Sequence, residues 1–130
     1  MDKRLLDCEW ILLGALWENP PQTMKQIVER VRAQRPGIAW SYKTYHSYLR
    51  KMEEKGLITS ETRNLKDKLY SPIITQEEAI EVETENILSR SSYFGSVGRL
   101  LIAMVEKHQL TEKDRQDLIR LAEQLEKENE

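Results

Sequence analysis

A mainly α fold with one small β-hairpin is predicted by three features of the 130-residue sequence. Six stretches read as helices from apolar spacing and from their Pro, Gly or hydroxyl boundaries. One region alone, after Gly56, switches to short β-tolerant runs around a polar tip. Charge also divides along the chain. Residues 1–75 carry 13 basic and 9 acidic side chains, a net of +4, whereas residues 76–130 carry 7 basic and 13 acidic, a net of −6. Such asymmetry suggests one part that meets a polyanion and another with a different task.

In the first helix, about Asp7–Glu18, Leu6, Trp10, Leu13 and Trp17 recur at helical spacing. Asn19-Pro20-Pro21 ends it, since proline lacks the amide that the next turn needs. Thr23, with Gln26 three residues later, is a capping box. Met24, Ile27, Val28 and Val31 then form the stripe of a second helix, about Met24–Gln34, stopped by Arg35-Pro36-Gly37. Ser41 caps a third helix that runs to about Lys55 and stops at Gly56. Leu57–Thr62 and Lys68–Ser71 flank Asn64-Leu65-Lys66-Asp67 as a hairpin closed by Pro72. Thr75, with Glu78, caps an acidic helix to about Ser89, and Ser91-Ser92 breaks it. Two more helices follow, about Tyr93–Lys107 and Thr111–Lys127. Three helices and a hairpin are the order of a winged helix-turn-helix module. The expected division is residues 1–74 as a winged-helix DNA-binding domain and 75–130 as a helical dimerisation domain.

The third helix has two chemically different faces. Tyr45, Tyr48, Leu49 and Met52 lie at i, i+3, i+4 and i+7 and are expected to pack inward. Lys43, His46, Ser47 and Arg50 repeat that spacing on the other side and offer only donors or donor/acceptors. A helix entering the major groove reads base edges with its N-terminal residues. Lysine can donate to guanine, and Ser or Thr hydroxyls serve several bases. Backbone phosphates would be met by Ser41, Arg50, Lys51, Lys55, Arg63, Lys66 and Lys68, neutralising charge without reading sequence. An ordinary solvated helix side, and hairpin charges kept for solubility, are the plainer alternatives.

Other chemistries find little support. The 39% hydrophobic and 32% charged composition suits neither a disordered tail nor a membrane protein. No stretch approaches the roughly 18 apolar residues of a spanning helix, and MDKRLLDCEW is not a secretory signal. A lone cysteine, Cys8, cannot form an intrachain disulfide. His46 and His108 have no metal-ligand spacing. Trp10 and Trp17 read as core, with Trp40 less decided. Neither a Gly-rich phosphate loop nor a nucleophile elbow occurs. A cytoplasmic, non-enzymatic chain without cofactor or metal is expected.

The C-terminal helices carry apolar stripes, Val97, Leu100, Leu101, Met104 and Val105 on one and Leu118, Leu121, Ala122 and Leu125 on the next. These stripes bury either against a second copy or in an internal three-helix core. A two-fold dimer would set two recognition helices about 34 Å apart on one side of a duplex.

Glu9-Trp10 with Leu16-Trp17 resembles the opening helix "EWxxMxxLW" of a known family, with Leu13 in place of Met. Ser41-Tyr42-Lys43-Thr44-Tyr45, Leu49, Lys55-Gly56-Leu57-Ile58 and Tyr70-Ser71-Pro72 are similar to its recognition helix and wing. Leu100-Leu101, Val105-Glu106-Lys107, Leu110-Thr111-Glu112 and Leu118 to Leu125 look like its dimerisation region. The family is that of the penicillinase repressors (BlaI/MecI type), which includes copper-operon repressors. The resemblance implies a homodimeric bacterial repressor on a palindromic double-stranded operator, often with TACA/TGTA half-sites. It would place Lys43, Thr44 and His46 at base-reading positions and imply release by a sensor, protease or ligand. His46 stands where the family commonly has Arg or Lys. Ala103-Met104 replaces the Asn-Phe cleavage bond of antibiotic-responsive members, and the CxC motifs of copper sensors are missing. The competing reading is a winged-helix module that binds a protein through the same surface.

Overall fold

The computed structural model describes residues 4–63, 67–90, 93 and 95–129. It divides into two compact units, Met1–Asn86 and Ile87–Glu130. The first holds helices α1 (Asp7–Leu16), α2 (Met24–Gln34) and α3 (Tyr42–Glu54), strands β1 (Ile58–Thr62) and β2 (Lys68–Pro72), and most of α4 (Gln76–Leu88). The second holds α5 (Val97–Lys107) and α6 (Glu112–Glu128). The mainly helical architecture with a single hairpin is the one expected.

One core unites the first unit. Leu12, Leu13 and Leu16 of α1 meet Ile27, Val28 and Val31 of α2 and Tyr45, Leu49 and Met52 of α3. Leu57, Ile58, Tyr70, Ile74 and Ala79 close it from the hairpin and the start of α4. The inward face expected of α3 is therefore the buried one, with Tyr48 half-buried at its margin. In α1 the expected stripe is corrected. Leu6 is exposed, and Trp10 and Trp17 are half-buried, meeting edge to face at 6.1 Å. Leu12, Leu13, Ala15 and Leu16 face the core instead. From Trp10 to Trp17 every residue except Gly14 is apolar, so periodicity alone does not select the buried side.

The helix starts follow the hydroxyl signals. Thr23 and Gln26 make their reciprocal box, Gln26 N–H donating to Thr23 Oγ1 at 3.2 Å and Thr23 N–H to Gln26 Oε1 at 2.9 Å. Thr44 N–H donates to Ser41 Oγ at 3.2 Å, and Glu78 N–H to Thr75 Oγ1 at 3.1 Å. In the second unit α5 starts at Val97 rather than Tyr93. Gly95 adopts φ 92°, a left-handed conformation that favours glycine, and Ser96 then caps the helix. The expected Ser91-Ser92 break lies outside the described residues.

The hairpin pairs Ile58 with Pro72 through to Thr62 with Lys68. A third segment joins it at Gln22, whose backbone exchanges both hydrogen bonds with Tyr70 at 3.0 and 2.8 Å. The Gln22 side chain is buried and donates through Nε2 to the Ala15 carbonyl at 2.8 Å. Trp17 Nε1 donates to the Ile74 carbonyl at 2.9 Å. The base of the wing is thus fastened to the end of α1 and the turn before α2.

Candidate nucleic-acid interface

Because Tyr45, Leu49 and Met52 are sunk in the core, the opposite side of α3 is forced outward. Lys43, His46 and Arg50 are exposed there, and Ser47 is half-buried. Thr44 is also half-buried, its Oγ1 3.1 Å from Ser41 Oγ, so part of its hydrogen-bonding capacity serves the cap. The outward face carries no carboxylate until Glu53 and Glu54 in the last turn of the helix. Trp40 packs edge to face on Tyr45 at 5.3 Å and on Tyr48 at 5.1 Å, which makes it a brace for the start of α3 rather than a stacking platform.

Of the residues expected to meet backbone phosphate, Ser41, Lys51, Arg63 and Lys68 are exposed. Lys66 lies outside the described residues. Lys55 has another use. Its ammonium donates to both oxygens of Glu9, at 2.9 and 2.7 Å, and that carboxylate is only 3% exposed. Leu6 N–H donates to the same carboxylate at 2.8 Å. Lys55 therefore ties the end of α3 to the start of α1, and we leave it out of the phosphate set. Two arginines of α2 are also engaged: Arg30 pairs with Glu18, and Arg32 stacks 5.9 Å from the centre of the Tyr42 ring.

The structure also brings forward residues that sequence reasoning passed over. A groove of 570 Å³ between the start of α2, α3 and the wing is lined by Thr23, Lys25, His46, Asp67, Lys68 and Tyr70, among others. Lys25 belongs to the first turn of α2, a position that the Thr23–Gln26 box already fixed in the sequence. Tyr42, half-exposed at the first turn of α3, was noticed only as part of a motif.

Residues 5–124 match the family described as "Penicillinase repressor". The chain belongs to the penicillinase repressor family. This is a family of DNA-binding transcriptional regulators, not of enzymes, and the chain is a DNA-binding repressor in that coarse sense. It is similar to the methicillin resistance regulatory protein MecI of Mammaliicoccus sciuri, 26% identical over 110 residues, which span 85% of each chain. MecI of Staphylococcus aureus strain N315 is 24% identical over the same shares. Among solved structures, the zinc-responsive MarR family member ZitR of Lactococcus lactis aligns with 100% of this chain and 80% of its own at TM-score 0.43 and 20% identity, too distant to bear on function.

Within this repressor-family chain, the titratable groups with displaced pKa values are structural. Burial, reinforced by the neighbouring Glu9 carboxylate, raises the Cys8 thiol above its ordinary value. Burial likewise raises Tyr45 and Tyr70. The Tyr45 hydroxyl, enclosed in the core, has no partner among the described residues. Among those residues no three His, Cys, Asp or Glu side chains gather as a metal site. None of the helices is long and apolar enough to cross a membrane.

The second unit has a different surface. Neither α5 nor α6 buries a single residue within its own chain. Val97, Leu101, Met104 and Val105 of α5, and Leu118, Leu121 and Leu125 of α6, are all exposed. Leu100 is half-buried. An apolar groove of 620 Å³ runs between Leu101, Met104, Val105, Leu110 and Leu118.

Proposed function

We propose that the chain is a homodimeric, sequence-specific repressor that lays α3 in the major groove of a palindromic operator and the wing on the backbone. One observation carries this: the side of α3 turned away from the core presents Lys43, His46, Ser47 and Arg50 from the first turn onward, without an acidic group among them. Lys43 and His46 read base edges, with Thr44 and Ser47 as shorter-reach contacts. Ser41, Arg50, Lys51, Arg63, Lys66 and Lys68 meet phosphate. Occupying the operator blocks the promoter, and a sensor, protease or ligand releases it.

Dimerisation is supported by the second unit. Of the set Val97, Leu100, Leu101, Met104, Val105, Leu118, Leu121 and Leu125, all but the half-buried Leu100 are exposed within one chain. Burying a side chain of this kind is worth about 1.5–3 kcal/mol, so covering even half of the set against a second copy favours association. The exposure of most of these residues supports cover by a second copy over an internal core of the C-terminal helices.

Selection of bound sites from random duplexes, followed by a gel shift across salt, tests the reading. The expected outcome is a two-fold symmetric site whose affinity falls steeply as salt rises. Duplex binding that is absent or indifferent to salt would overturn it in favour of a protein-binding winged module.

A further inference from the structure

The groove between α2, α3 and the wing gathers cationic side chains from three separate elements. Lys25 comes from the first turn of α2, His46 from the outward face of α3 and Lys68 from the first position of β2. All three are exposed. Thr23 Oγ1 accepts the Gln26 N–H of its capping box, which fixes the first turn of α2 and with it Lys25. The other titratable groups in the groove are Asp67 and Tyr70, and burial keeps the Tyr70 phenol neutral. On α3 itself, Lys43 and Arg50 stand three residues before and four residues after His46. Around His46, then, stand Lys25, Lys43, Arg50 and Lys68 as cations, and Asp67 of the groove with Glu53, two turns further along α3 and near Tyr70, as carboxylates.

Histidine is the side chain whose ordinary titration lies between about pH 5 and 8. An anion held beside an imidazole favours the protonated ring, whereas flanking ammonium groups disfavour it. An anion filling the groove therefore favours the imidazolium form. The natural occupant is a DNA backbone phosphodiester, because His46 lies on the same helix face as the base-reading Lys43 and beside the wing.

We propose that this groove clamps a backbone phosphodiester between Lys25 and Lys68, and that duplex binding is coupled to uptake of a proton at His46. Repression by this chain tightens as pH falls. The inference rests on the DNA-binding reading above and adds to it both a contact, Lys25, and a dependence on pH.

The test is fluorescence anisotropy of a labelled mixed-sequence duplex with the full chain, at fixed ionic strength, between about pH 5.5 and 8.5. Affinity is expected to rise toward acid pH, approaching a tenfold gain per pH unit for each proton taken up. His46→Gln should flatten that slope, while His108→Gln, at the chain's other histidine, should keep it. Lys25→Gln should weaken binding to all duplexes and lower the salt dependence by about one counterion per protomer, with Lys113→Gln in α6 as the neutral comparison. Far-ultraviolet circular dichroism confirms that each variant is folded. Salt-sensitive binding with no pH slope, or a slope that survives His46→Gln, would refute the proton coupling and leave the repressor reading standing. A Lys25→Gln variant indistinguishable from Lys113→Gln would refute the clamp. No binding at any pH would overturn both this inference and the repressor reading.

Discussion

Removing the Lys55 ammonium should cost the winged unit much more stability than an exposed lysine would. The Glu9 carboxylate is 3% exposed and accepts three hydrogen bonds, two of them from Lys55 at 2.9 and 2.7 Å and one from Leu6 N–H at 2.8 Å. Lys55→Ala deletes two of the three and leaves a buried anion. Breaking a fully buried pair costs about 3–5 kcal/mol, and an exposed pair is worth about 0–1 kcal/mol. The Lys55 side chain is 37% exposed, and Leu6 N–H remains in place, so water relieves part of the penalty. The expected loss is about 2–3 kcal/mol, a fall in melting temperature on the order of 10–20 °C for a unit of this size. Urea unfolding at fixed protein concentration measures it, with Lys51→Ala as the comparison on the same helix. Replacing both partners, Glu9→Leu with Lys55→Met, should recover most of the loss, because no orphaned charge remains. A Lys55→Ala cost no larger than that of Lys51→Ala, or a double variant as unstable as the single one, would show that the pair does not fasten α3 to α1.

Three other outcomes are expected. Lys43→Ala and His46→Ala should broaden the sequences recovered by site selection, each lost base contact costing about 1–3 kcal/mol against the preferred base; an unchanged motif would remove that residue from the readers. Leu101→Glu or Leu121→Glu should give monomers by light scattering, and persisting dimers would place association elsewhere. The Cys8 thiol is held above its ordinary value by burial and by Glu9, so the reactive thiolate is scarce below the free thiol's own range and appears only at more alkaline pH. Alkylation near neutral pH should therefore be slower than that of a free thiol such as glutathione, and equal rates would contradict that environment.

Much of the fold was legible because its signals are local. Thr23, Ser41 and Thr75 mark helix starts through their own hydroxyls, and each caps as expected. The face of α3 was legible because its apolar and polar positions alternate cleanly, whereas α1 lacks that contrast and its buried side is settled only by what packs against it. Long-range pairings left no trace in spacing. Lys55 with Glu9, 46 positions apart, looks like one more cation in a basic run until the fold brings a carboxylate beneath it. Gln22, in a turn, gives no hint that it extends the hairpin. Lys25 was overlooked for a related reason, since its place beside His46 and Lys68 exists only once three elements converge.

A pair of helices with exposed apolar stripes would, if they pair with a second copy, have a quantitative effect on gene control. If the second unit acquires an interior only by meeting its twin, its folding depends on encounter, and protomer abundance becomes part of its stability. Operator occupancy then scales with the square of copy number while chains are scarce. Dilution by growth or partial proteolysis would silence such a switch more sharply than either would silence a single-chain regulator.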